Sequence, residues 1–186
     1  MNENRALSKT RILSECAIMA ALASVLAMVK IINLPNGGSV TLASMVPVVF
    51  IGIKHGTKWG ALTGLVFALV QMITGFYAPP VQNFLNFVLV IMLDYILAFM
   101  PLGLAGVISK RFKNNYIGVA AGAFCVTFFR FIMHFLSGII IWSSYATEGM
   151  PVWLYSLQYN GSYMGIEIII TTILTVFLTR ALKNKI

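Results

Sequence analysis

Six stretches of this chain are apolar and almost free of charge, and that pattern decides what it can fold into. Hydrocarbon offers the backbone no water to bond, so only helices and closed barrels cross a bilayer, and a crossing helix needs roughly 20 apolar residues. The stretches cover residues 12–32, 40–53, 59–76, 81–108, 117–142 and 162–182. The second is short, which predicts a tilted span or one that begins inside the protein below the outer surface. In the fourth, helix can begin near Val81, but the last twenty residues to Ile108 suffice to cross. A run of turn formers (Leu34, Pro35, Asn36, Gly37, Gly38, Ser39) breaks the first two spans apart, and Pro79 and Pro80 interrupt after the third. Apolar residues make up 59% of the chain and charged residues 10%, against roughly 45–50% and 25% in a soluble domain. The 186 residues leave room for one integral-membrane domain, residues 1–186, and no large soluble module. The expected fold is an all-α membrane protein with six transmembrane helices.

The net charge of +8 sorts by position. Lys9 and Arg11 precede the first span, Lys54 and Lys58 separate the second from the third, Lys110, Arg111 and Lys113 separate the fourth from the fifth, and Arg180, Lys183 and Lys185 close the chain. The connections at residues 34–39, 76–83 and 143–159 contain no Lys or Arg. This alternation follows the positive-inside rule and predicts cytoplasmic N- and C-termini. The basic excess therefore reads as topology in a lipid bilayer, not as a nucleic-acid footprint. The N-terminal apolar run is long and further spans follow it, so a cleavable signal peptide is not expected.

Several chemistries lack their residues. No Gly-rich loop with a following Lys-Ser or Lys-Thr is present, so the chain is not expected to bind ATP as a P-loop enzyme. No His-Glu-x-x-His or cysteine cluster suggests a metal; Cys16 and Cys125 sit far apart in apolar segments and read as small packed residues. Asp94 is the only aspartate, which excludes a two-aspartate membrane protease. No cofactor and no enzymatic activity are expected.

Asp94, Arg130, His134 and Glu167 lie inside the spans. A charge at a span centre costs about 2.5–3.5 kcal/mol on insertion scales, so such residues are usually turned inward and functional. For Asp94 two readings stand: an ion pair with Arg130 or Lys30, or a carboxylate awaiting a cationic or donor-rich ligand. Arg130 and His134 are four apart and share a helix face; Trp142 lies close to that face, so one stripe offers a cation, an imidazole and an indole. Glu167 is open between pairing with Lys30 or Arg130 and being protonated. His55, beside Lys54 in a turn, reads as solvated. Asn160-Gly161 reads as a turn and helix start, with Tyr155 just before it. Tyr145, Trp153, Tyr155 and Tyr159 in the connection at residues 143–159 fit either an interfacial aromatic belt or the wall of a ligand site. Small residues at helical spacing in the first span, Ala17 with Ala21 and Ala23 with Ala27, fit either packing within the chain or docking of another membrane subunit.

Three segments carry a resemblance. Leu93-Asp-Tyr-Ile-Leu-Ala-Phe-Met-Pro-Leu-Gly-Leu-Ala-Gly106, Arg130-Phe-Ile-Met-His-Phe-Leu-Ser-Gly138 followed by Trp142-Ser-Ser-Tyr-Ala146, and Tyr155-Ser-Leu-Gln-Tyr-Asn160 occur in that order. Together they resemble the thiamine-specific substrate-binding (S) components of bacterial energy-coupling factor (ECF) vitamin transporters. The resemblance spans nearly the whole chain. It implies a high-affinity thiamine-binding subunit of the bacterial plasma membrane that joins a transmembrane coupling subunit and two ATPase subunits, ATP being used by those partners only. By the same resemblance Asp94 is the acidic anchor, Tyr95 and His134 flank the ligand, Trp142 stacks on a ring, Tyr155 and Asn160 add hydrogen bonds, and Arg130 meets the hydroxyl or phosphate end. Ala17, Ala21, Ala23 and Ala27 would form the docking surface. Two departures from relatives are present. The loop at residues 34–39 has no aromatic residue, and the stretch from Pro80-Val-Gln82 to Leu93-Asp-Tyr95 is longer, which leaves Tyr77, Gln82 and Asn86 open as pocket residues. The alternative function is a stand-alone proton-coupled transporter of thiamine or a similar small cationic vitamin, with Asp94, Glu167 and His134 as its relay.

Overall fold

The computed structural model describes residues 8–182. Six helices form the bundle: α1 (Lys9–Met28), α2 (Val46–His55), α3 (Thr57–Gly75), α4 (Phe84–Ser109), α5 (Asn115–Ile140) and α6 (Val152–Ala181). All but α2 are long and apolar enough to cross a bilayer. Large apolar side chains cover the outside, Ile73 at 85% and Phe84 at 86% exposure among them, as expected where lipid, not water, is the neighbour. The chain is a multi-pass helical membrane protein.

Polar side chains start three of these helices, α1, α4 and α5, by satisfying backbone N–H groups that have no partner within the helix. Ser8 accepts from the N–H of Arg11, Asn83 from that of Asn86, and Asn114 from those of Tyr116 and Ile117. Helix α4 changes pitch twice. Residues Ile91–Ile96 are π-helical, and Met100–Leu104 tighten to a 3-10 helix around Pro101, which has no N–H to give. Around this tightened turn α2, α3 and α4 meet backbone to backbone. A Cβ on Gly103 would stand 2.1 Å from the N of Ala61 and from the C of Gly60, and one on Gly52 would stand 2.5 Å from the O of Gly103. The core above these glycines holds Val48, Val49, Phe67, Leu102 and Ala123.

Where residues 12–32 predict one continuous span, α1 ends at Met28 and the chain turns into an antiparallel hairpin, β1 (Lys30–Asn33) and β2 (Ser39–Thr41). Asn36 at φ 65° and Gly37 at φ 94° make its turn. Val40, Thr41 and Ser44 are buried, and so is α2 from Val46 to Gly52. The short second span thus begins inside the protein, where irregular backbone is tolerated because protein, not lipid, surrounds it.

The other displaced boundary is that of α6. Asn160-Gly161 is not its start; the helix begins at Val152, after Pro151. Residues 156–161 look polar enough for a turn, yet they are helical because α5 satisfies them. Ser156 Oγ donates to the O of Phe135 at 2.7 Å, and Asn160 Nδ2 donates to the O of His134 at 3.2 Å. Gly138 makes this approach possible, since a Cβ there would lie 2.1 Å from Ser156 Oγ.

Two more readings change. His55 is not solvated: its side chain is 4% exposed, and Nε2 meets Glu15 Oε2 at 2.7 Å, beside Lys54 Nζ at 2.8 Å. Glu15 thereby ties α1 to the end of α2. Ala23 and Ala27 cannot belong to an external docking surface, because they are 0% and 4% exposed. With Cys16 and Ala20 they form the buried face of α1, whose neighbours in the bundle are α2 and α3. Ala17 and Ala21 lie on its exposed face.

Candidate binding site

At the hairpin end of the bundle, α1, α3, α4, α5, α6 and the hairpin surround a cavity of about 230 Å³. Ligand pockets for drug-sized molecules run about 300–1,000 Å³, so this one suits a small guest. Asp94, Tyr95, Arg130, His134, Trp142, Tyr155 and Asn160 all border it.

The carboxylate comes from the π-helical turn of α4, a local widening that recurs at functional sites. Asp94 and Arg130 form no direct ion pair; His134 stands between them. Arg130 Nε–H donates to His134 Nε2 at 3.1 Å, and His134 Nδ1 meets Asp94 Oδ1 at 3.1 Å. A ring that accepts at Nε2 and donates from Nδ1 carries one proton. Asp94 Oδ2 accepts from Ser137 Oγ at 2.7 Å and from Trp142 Nε1 at 3.1 Å. A carboxylate inside an apolar bundle needs such donors, and here three side chains of one segment supply them. The Arg130 guanidinium also lies 4.3 Å from the ring centre of Phe99, within cation–π range.

Aromatic rings surround this polar floor. Trp142, just past the end of α5, has Tyr145 nearly parallel at 5.9 Å and Tyr77 tilted at 5.7 Å. On α6, Tyr155, Tyr159 and Tyr163 recur every four residues on one face, with centroids 5.8 and 6.0 Å apart. Tyr95 and Asn160 have their polar atoms engaged within the protein. Tyr95 Oη donates to the O of Gly75 and accepts from the N of Tyr77, both at 3.1 Å. Asn160 Oδ1 accepts from Tyr163 Oη at 2.9 Å, while its Nδ2 reaches His134 and Ser156.

Tyr77, left open by the sequence, and Tyr159, one of the aromatic residues offered as a ligand-site wall, border the cavity, as do Lys30, Asn36 and Tyr163, which sequence reasoning did not place there. The spacing of Tyr155, Tyr159 and Tyr163 was a usable signal, hidden because α6 was expected to start later. Gln82 and Asn86 are not among the bordering residues; Asn86 instead bonds to Asn83 and Val81 at the start of α4. Glu167 pairs with neither Lys30 nor Arg130 among the described residues; its Oε1 accepts from Thr41.

Together the apolar bundle and its polar, aromatic-walled cavity define a helical membrane protein built around a small-molecule site. The chain belongs to the thiamine transporter protein family (Thia_YuaJ), whose model matches residues 13–186. It is 36% identical to the thiamine transporter ThiT of Bacillus subtilis (strain 168), over 93% of this chain and 91% of that protein. It is 28% identical to the thiamine transporter ThiT of Lacticaseibacillus paracasei, over 89% of this chain and 83% of that one. Among solved structures, ThiT from Listeria monocytogenes superposes with a TM-score of 0.76 at 25% identity, covering 93% of this chain and 95% of that chain. A structure described as the S component of a bacterial ECF transporter superposes at 0.68 and 18% identity, covering 95% and 98%, and shares the fold. These relatives are transporters, not enzymes.

Proposed function

We propose that the cavity captures thiamine and that the chain is the substrate-binding subunit of an ATP-driven energy-coupling factor importer. The observation that carries this reading is Asp94: a carboxylate held in an apolar bundle by His134, Ser137 and Trp142, bordering a cavity walled by aromatic rings. Thiamine is a cation with a thiazolium ring, an aminopyrimidine and a hydroxyl tail. Asp94 answers the positive charge or the amino group, which a low-dielectric cavity strengthens. Trp142 and the tyrosines stack on the rings, a cation–π contact contributing about 0.5–2 kcal/mol. His134 flanks the ligand, Tyr155 adds a hydrogen bond, Tyr95 and Asn160 hold the walls, and Arg130 serves the hydroxyl end.

The basic turns lie at the end opposite the cavity, so the positive-inside rule opens the cavity to the outside and puts the termini in the cytoplasm. The exposed face of α1 at Ala17 and Ala21 would receive the transmembrane coupling subunit, with two ATPase subunits beneath it. Reconstitution into vesicles separates this scheme from stand-alone proton coupling. Thiamine uptake that needs the coupling subunit and ATPases supports it; uptake by this chain alone, driven by a pH gradient, overturns it. The relay required by the alternative is not continuous, since Glu167 bonds to Thr41 and His134 bonds to Asp94 and Arg130.

A further inference from the structure

Of Asp94, Arg130, His134 and Glu167, only Glu167 does not border the cavity. It is 1% exposed, in the middle of α6. Both of its contacts go to one residue distant in sequence: Oε1 accepts from the Thr41 N–H at 2.5 Å and from the Thr41 hydroxyl at 2.7 Å. That hydroxyl, having given its proton to Glu167, accepts from Ser44 Oγ at 2.7 Å. Glu167 Oε2 has no partner among the described residues.

Thr41 closes β2, and the hairpin it ends supplies Lys30, Asn36, Gly38 and Ser39 to the cavity wall. Helix α6 grips this hairpin twice. At the tip, Tyr159 Oη accepts from the Gly38 N–H at 2.9 Å and donates to the O of Pro35. At the base, two turns further along α6, Glu167 holds Thr41. The tip contact belongs to a cavity residue and is open to disturbance by whatever binds there. The base contact lies outside the cavity, in surroundings where a freed N–H or hydroxyl finds no water.

We infer that Glu167 is a positioning residue: without touching the ligand, it fixes Thr41 and hence the hairpin wall, and so sets how fast the ligand leaves. The inference rests on the thiamine-capture reading for its ligand, but the state of the hairpin can be read without any ligand. Glu167→Gln keeps an acceptor oxygen for Thr41; Glu167→Leu keeps the bulk and removes it; Thr41→Val removes the hydroxyl's bonds to Glu167 and Ser44 and leaves the N–H bond to Glu167 in place.

The test uses the full chain in lipid nanodiscs. Without thiamine, backbone hydrogen exchange across residues 29–45 is expected to speed up about tenfold in Glu167→Leu and by less in Thr41→Val, to stay unchanged in Glu167→Gln, and to leave α3 and α5 as in the unmodified chain. With thiamine, dissociation should accelerate about tenfold in Glu167→Leu, with association changed far less and Glu167→Gln matching the unmodified chain. Unchanged exchange in Glu167→Leu, exchange raised equally throughout the bundle, or a Gln variant as loose as the Leu variant would each overturn the inference. Should the unmodified chain fail to bind thiamine, the capture reading falls while the exchange arm still decides the role of Glu167.

Discussion

Asp94 illustrates how much one residue can organise when water is absent. Its two oxygens collect His134, Ser137 and Trp142 into one cluster, and Arg130 joins through the imidazole. Asp94→Asn removes the charge and replaces one acceptor oxygen with an NH₂ facing groups that donate. Hydrogen bonds to charged groups are worth about 1.5–3 kcal/mol, so thiamine affinity is expected to fall about tenfold or more by titration calorimetry. An unchanged affinity would remove Asp94 from the site. Trp142 touches both Asp94 and the aromatic wall, so thiamine should quench its fluorescence; Trp142→Phe should abolish most of that signal while Trp153→Phe, at an exposed position, should retain it. These residues were legible in the sequence because a charge in hydrocarbon has few uses. The Asp94 partners were not fully legible: the sequence left an ion pair with Arg130 or Lys30 open beside a carboxylate awaiting a ligand, whereas the link to Arg130 runs through His134.

At the scale of elements, glycines set how closely the helices approach. Gly103→Ala would drive a Cβ into the backbone of Gly60 and Ala61 at 2.1 Å, where no side chain can rotate away. Gly138→Ala would meet Ser156 Oγ at 2.1 Å, and turning Ser156 aside would cost its bond to Phe135. Overpacking costs typically about 1–3 kcal/mol. Both variants should therefore lower the melting temperature in detergent, Gly103→Ala more than Gly138→Ala; equal melting to the unmodified chain would contradict the packing described. The two misplaced boundaries share a cause at this scale. Val29, Ile31, Ile32 and Val40 have the apolar character of a span, but a strand can carry the same apolar composition as a helix in lipid, so composition alone does not mark where α1 ends. Residues 156–161 have the polarity of a turn, but contacts with α5 that no local pattern reveals keep them helical.

For the whole molecule, the bilayer made the fold readable. Apolar runs marked the spans and basic turns marked one end, since both follow from the cost of moving backbone and charge into hydrocarbon. The outer face of α1 is where the assembly account can be tried. Ala17→Trp or Ala21→Trp should abolish ATP-driven uptake by the reconstituted complex and leave thiamine binding by the isolated chain intact. Equal loss of both would show that these positions serve the chain's own packing. Ala23→Trp should instead damage folding, because that site is fully buried. Most direct for the account is titration calorimetry of the purified chain with thiamine, riboflavin and biotin in turn. Saturable one-to-one binding of thiamine alone is the predicted result; no binding of thiamine, or equal binding of riboflavin or biotin, would contradict it.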